Sequence, residues 1–248
     1  MRRWQRDTVA AAAAAIVVAA ASGWAMQAHR PASAAKVAAW LHAAADGHNG
    51  AAEQALAIHA ASGEAEASRA YALLLEHRPG AAAASMRIDL LERAAEAGDA
   101  LAATRLGAAL LALSNGGRAD ALPALRWLER AAQAGVPEAM RRVGMLALQP
   151  ANEPAEASRG VAWLRRAAEA GDSAAMFLLG NALRAGHGAA ADERAALAWY
   201  ERAADAEYPP ALHALALAHA HGELGLAIDA AKSRLMDHEA AEALAHAR

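Results

Sequence analysis

Three stretches of this chain can be laid over one another without a gap: WLERAAQAG from Trp127, WLRRAAEAG from Trp163 and WYERAADAE from Trp199. The tryptophans stand 36 residues apart both times, so half of the chain's six tryptophans share one structural position. A phrase that returns at an interval of this length marks a repeated supersecondary unit, because each unit leaves an apolar face that only its neighbour covers. Upstream, LLERAAEAG from Leu90 to Gly98 is the same phrase with leucine in the tryptophan place, and WLHAAADG from Trp40 is a degenerate copy.

Each phrase is followed by a second segment with its own signature. Gly107, Gly144 and Gly180 recur there, with Ala216 in the fourth copy, and Ala102, Ala139, Ala175 and Ala211 stand five residues before them. Glycine inside a helix costs about 1 kcal/mol relative to alanine, so its return at one position predicts a neighbouring helix backbone passing close by. Leu106, Val143, Leu179 and Leu215, each one residue earlier, are the large partners that fill the remaining gaps. The turns agree with this reading. Gly98, Gly135 and Gly171 suit left-handed ends of the tryptophan-bearing helices, Asp99, Asp172 and Asp192 suit N-terminal caps, and Pro137 and Pro209 suit first helical turns. The apolar fraction is 56% but aromatics make up only 4%, most of the remainder being alanine. Such a chain builds many thin seams between closely packed helices, and it has no alternating run rich in branched residues from which to build a sheet.

The phrase WY-x-RAA, the small-residue pattern and the glycine-rich link RAGHGAAADERAALAWYERAA resemble the Sel-one-like repeat, a helix-turn-helix family related to the tetratricopeptide repeat. The resemblance is good over Leu90 to His221 and most specific from Gly171 to Glu207. It implies an all-α, right-handed α/α solenoid of about four to six helix-turn-helix repeats, each near 36 residues, with a C-terminal capping helix. The expected organisation is a signal peptide or signal anchor at 1–34, degenerate helical hairpins at 35–89, Sel-one-like repeats at 90–221 and a closing helix at 222–248. That last stretch lacks the tryptophan phrase and reads as polar-faced, as the end of an array requires. The second unit departs from the pattern, with QPANEPAEASRG in place of the glycine-rich link.

Arg2, Arg3 and Arg6 precede an apolar run from Thr8 to about Ala21, the charged and hydrophobic parts of an export signal. Everything after the run is expected in the periplasm. It is either soluble after cleavage at the small residues Gly23 and Ala25 or Ala32 and Ala34, or tethered to the inner membrane by residues 8–26. The formal net charge of -3 and the lack of a basic stripe argue against nucleic acid as partner. There is no cysteine, which removes disulfides, thiol chemistry and cysteine–zinc sites.

No pattern points to a catalytic, cofactor-binding or metal site. The functional expectation is a non-catalytic scaffold for a protein or peptide, in an envelope, secretion or polysaccharide assembly. Two other classes have partial signatures in the chain. A cell-wall or β-lactam hydrolase would use Ser33-Ala-Ala-Lys36, an S-x-x-K pattern, but no S-D-N or K-T-G accompanies it. A metal-binding protein would use His213, His219, His221, His238 and His246, but Glu242 stands where a zinc-protease helix needs its second histidine. Trp127, Trp163 and Trp199 are read as core, packed against the glycine-bearing helix of an adjacent hairpin. Thr104, Arg105, Arg141, Asn181 and His213 are the candidate partner-binding residues, polar outward positions on the helices carrying Gly107, Gly144 and Gly180. Their chemistry varies from unit to unit while the scaffold letters hold, as at the contact positions of a solenoid.

Overall fold

A computed structural model describes residues 31–46, 49–114, 118–150 and 152–246. Residues 1–30, which carry most of the expected signal peptide or anchor, lie outside the described residues. The chain divides into two compact units, 1–124 and 125–248. Every element among the described residues is a helix. The first unit holds α1 (Ala34–Ala45), α2 (Gly50–Ala61), α3 (Ala65–Glu76), α4 (Ala81–Glu96) and α5 (Ala100–Leu113), and α6 (Arg118–Gln133) spans the division. The second holds α7 (Pro137–Ala147), α8 (Pro154–Glu169), α9 (Ser173–Ala185), α10 (Glu193–Asp205), α11 (Pro209–His221) and α12 (Ala230–His246). Within each unit consecutive helices pack on one another, and α1 also reaches α3. This is the all-α repeat architecture that the recurring phrase implies.

The turn chemistry read from the sequence is in place. Gly98, Gly135 and Gly171 all take positive φ. Asp99, Asp172 and Asp192 each accept a hydrogen bond from the backbone amide three residues on, at Ala102, Ala175 and Ala195. Pro137 and Pro209 open α7 and α11, where a missing amide hydrogen is no loss. The divergent second link solves its turn differently. The Asn152 side-chain amide donates to the Leu146 and Ala147 carbonyls at 2.8 and 3.0 Å, closing the end of α7, and Pro154 opens α8 two residues later.

The glycine-bearing helices do approach a neighbour closely, but the tryptophans are not what they meet. A Cβ on Gly180 would lie 2.7 Å from the Tyr200 ring, and one on Gly144 would lie 2.8 Å from Leu164. Tyr200 and Leu164 each follow a repeat tryptophan by one residue and are 1% and 0% exposed. Trp163 and Trp199 are only half-buried, as is Trp127. One face of each carries a guanidinium three residues on: Arg130 at 5.6 Å, Arg166 at 4.3 Å and Arg202 at 4.2 Å from the ring centroids. The expectation that the tryptophans are the buried anchors is therefore corrected. On a helix the residue one step on points about 100° away, so only one of the two can face the glycine. Gly188 makes a second close approach, in the glycine-rich link. Any side chain there would run into the Ala157 carbonyl and Val161 of α8.

The closing helix is also less polar than expected. α12 packs on α11, yet it buries only Ala240 and leaves Leu235 and Leu244 each 56% exposed.

Candidate functional site

The five candidate contact residues can be placed one by one. Thr104 does not point outward: it is 2% exposed and its hydroxyl donates to the Ala100 carbonyl of its own helix. Arg141 is mostly covered, and its Nε donates at 2.9 Å to Asp172, the residue that caps α9. Asn181 accepts at 2.7 Å from the Tyr200 hydroxyl, which burial pushes up from its ordinary pKa against the pull of Arg184. His213 is exposed but pairs at 3.0 Å with Asp237 of α12. Arg105 alone of the five stands largely in solvent without a short polar contact, 3.5 Å from Glu76.

Four of these residues thus have a polar partner within the chain, and part of the variation that singled them out follows those partners. Arg69, Thr104, Arg141, Phe177 and His213 all occupy the fifth position of their helices. Arg69 donates at 2.8 Å to Asp99, the cap of α5, as Arg141 does to Asp172. Where the residue ahead of the next such helix is Tyr208, the fifth position is Phe177, its ring 5.8 Å away. An arginine meets an aspartate and a phenylalanine meets a tyrosine. At three of the five helices the fifth residue is thus matched to the residue ahead of the next such helix, whereas Thr104 bonds its own helix and His213 pairs with Asp237.

Arg105 leads to a different place. A groove of 480 Å³ in the first unit is lined by Leu41, Ala44 and Ala45 of α1, by Leu73, Leu74, Glu76, His77 and Arg78 at the end of α3, and by Arg105 of α5. Leu73, Leu74 and Leu75 are consecutive, and on a helix they sweep through about 200°. Leu75 faces the core at 5% exposure, while Leu73 and Leu74 are left half-buried along the groove. Two guanidinium groups, Arg78 and Arg105, stand at the charged end, and Arg87 of α4 pairs with the same Glu76. Arg78 bonds Glu53 at 2.6 Å, whereas Arg87 and Arg105 share the two oxygens of Glu76, each at 3.5 Å. Leu73, Leu74, Glu76 and Arg78 stand outside the residues expected from the sequence. The signal was there in LLLEHR, a leucine run too wide for one packing seam, followed at once by charge.

The two chemical alternatives also have definite positions. Ser33 caps α1, accepting from the Lys36 amide, and the Lys36 ammonium lies 4.9 Å from the Trp40 ring centroid. Both members of the S-x-x-K pattern are thus engaged in starting a helix. His238 stands 3.4 Å from Glu242, His219 is 8% exposed, and among the described residues no group of three or more His, Cys, Asp or Glu could hold a metal ion. The most covered titratable pair lies elsewhere, where His59 and Glu64 meet at 2.7 Å with side chains 13% and 18% exposed. Burial pushes the Glu64 carboxyl up, but hydrogen bonds with His59 and from the Ala32 amide outweigh it and hold the group below its ordinary value.

The pattern of the Sel1 repeat matches residues 88–99, 100–136, 137–172, 173–208 and 209–243, more than half of the chain. Each full match opens on a helix with the small-residue signature, and the last takes in most of α12. Among solved structures, the chain is similar to a Sel1 repeat protein from Oxalobacter formigenes, with 25% identity and a TM-score of 0.72 over 85% of this chain and 88% of that one. It is similar also to a protective antigen of uropathogenic Escherichia coli displaying an SLR fold, at 24% identity and a TM-score of 0.67, over 84% of this chain and 48% of that one. An immunity protein of Pseudomonas aeruginosa is similar at 18% identity and a TM-score of 0.53, over 85% of this chain and 81% of that one. The last two likenesses concern the fold alone. No protein of curated function matches the chain. Proteins built from this repeat are in general non-catalytic modules that bind other proteins.

Proposed function

This chain belongs to the Sel1 repeat family, and from that premise we propose that it is a non-catalytic scaffold, exported from the cytoplasm, that holds a protein or peptide partner in the groove of its first unit. The observation that carries the reading is the contrast in how side chains are used. The repeat positions are consumed by packing, capping and internal pairs. The groove, in contrast, leaves two leucines half-covered beside a cluster of charge, the combination of apolar anchors and polar rim found at protein-binding surfaces.

Export rests on the N-terminal sequence. Arg2, Arg3 and Arg6 ahead of the apolar run support a segment that directs the rest of the chain across the inner membrane, by cleavage or as an anchor through residues 8–26. Among the described residues no helix is long and apolar enough to cross a membrane. An envelope, secretion or polysaccharide assembly is the proposed setting.

Two experiments test the two halves. A photoreactive amino acid at Leu74 in living cells should cross-link a discrete protein, and the same label at exposed Asp89 on α4 should not. Equal cross-linking from both positions, or from neither, removes the groove from the proposal. Fusion of residues 1–36 to a reporter that works only outside the cytoplasm should give an active reporter. An intact reporter retained in the cytosol ends the export half.

A further inference from the structure

The groove is one carboxylate short. Among the described residues, the groove's Arg78 and Arg105, and Arg87 which shares Glu76 with Arg105, pair with only two carboxylates, Glu53 and Glu76, and Glu53 is taken by Arg78 in a bond of 2.6 Å. Glu76 is left to divide its oxygens between two guanidinium groups, each 3.5 Å away, well beyond the roughly 2.7–2.9 Å of a charge-assisted hydrogen bond. Arg87, which meets Glu76 through Nη1, also keeps a buried Nε with no hydrogen-bond partner within the protein. A guanidinium nitrogen removed from water without an acceptor is an unfavourable arrangement that one further carboxylate would relieve.

We propose that the partner of this groove is an acidic amphipathic peptide segment, whose apolar side chains lie on Leu41, Leu73 and Leu74 and whose carboxylate binds Arg105. This deepens the scaffold reading and rests on it. The apolar wall and the charged end belong to one continuous lining, so a segment with leucine-like residues on one face and a glutamate or aspartate at its edge meets both. The volume, 480 Å³, admits a few such side chains. Arg105 is the receiving group because it stands 47% exposed and planar, able to take a carboxylate in two parallel bonds. With Arg105 engaged from outside, Glu76 is released to close on Arg87. The chain's own N-terminal segment is a poor occupant by the same logic, since it brings Arg2, Arg3 and Arg6 to an end already rich in positive charge.

The test uses the full chain and two synthetic amphipathic peptides with the same leucine spacing, one carrying glutamate and one lysine on the flanks, measured by fluorescence anisotropy. The glutamate peptide should bind at least about tenfold more tightly at low salt, and the advantage should shrink as ionic strength rises. Arg105→Glu should reverse the preference. Glu76→Gln, which removes the internal competitor for Arg105, should tighten the glutamate peptide several-fold. Equal binding of the two peptides, a preference for lysine, or no binding of the glutamate peptide below about 100 µM overturns the proposal. A cross-link at Leu74 together with no charge preference would overturn the acidic partner and leave the scaffold standing; loss of both would end both.

Discussion

The two units of this molecule use their helices differently: the Sel1 repeat runs through the second as far as residue 243, whereas in the first it matches only from residue 88 onward. In the second, the small positions are matched to large ones so closely that Gly180 and Gly144 have no room for a methyl group, and Arg141, Phe177, Asn181 and His213 are all taken up by partners within the unit. In the first, α3 carries Ala72 where Gly144 and Gly180 stand in their helices, its leucine run overflows the core, and three arginines compete for two carboxylates. Regularity in the sequence therefore marks where the fold is using its residues. Departure from regularity marks where it has residues to spare.

That contrast can be broken most sharply at Tyr200. Tyr200→Ala should destabilise the protein by about 3–5 kcal/mol in chemical denaturation, the usual cost of truncating a fully buried aromatic, while Trp199→Ala should cost less than half as much. A larger loss at Trp199 would restore the tryptophan as the anchor. Leu75→Ala should cost about 2–5 kcal/mol, whereas Leu73→Ala and Leu74→Ala should leave the unfolding midpoint nearly in place. If all three behave alike, the groove leucines are core and the first unit has no residues to spare.

Gly180→Ala is expected to cost about 1–3 kcal/mol, since the added methyl meets a rigid ring that is itself fully packed. The same change in a Tyr200→Leu background should cost measurably less; additive losses would mean that the two residues do not set each other's size. The smallest effect concerns pH. Glu64 has its carboxyl pKa depressed in the folded chain. Its contribution is therefore present above the ordinary carboxyl pKa and lost as pH falls through the lower folded value. Glu64→Gln should flatten the acid limb of the stability profile below that ordinary value, and an unchanged limb would show that the His59–Glu64 contact contributes nothing there.

Much of the second unit was legible in advance because its rules are local. A glycine after RAA-x-x, an aspartate behind it and a proline two residues on each determine one turn, whatever the rest of the chain does. The identity of the buried residue was not legible. Trp163 and Leu164 are both apolar, and which of them faces Gly144 depends on a rotation of the helix that spacing alone leaves open. The role of Arg141 was hidden for another reason: its partner, Asp172, lies 31 residues away and had already been assigned a task as a cap. The groove was hardest to see, because it is assembled from α1, α3 and α5 and from no motif.

The pairing of Arg141 with Asp172, and of Phe177 with Tyr208, has a bearing on how such a chain lengthens. Both members of the first pair lie inside 137–172, and both members of the second inside 173–208. A stretch of gene copied or deleted between those borders carries each matched couple as a cassette and never separates an arginine from its aspartate or a phenylalanine from its tyrosine. The chain crosses from one cassette to the next at a residue able to begin a helix, as Asp172 does by its side chain and Tyr208 does with the help of Pro209 behind it, while Gly188 against Ala157 and Arg184 against Glu223 are contacts that span the borders. Growth by whole modules then keeps each couple intact and has only the contacts across the borders to match, and the run from Leu73 to Arg78 lies outside any cassette.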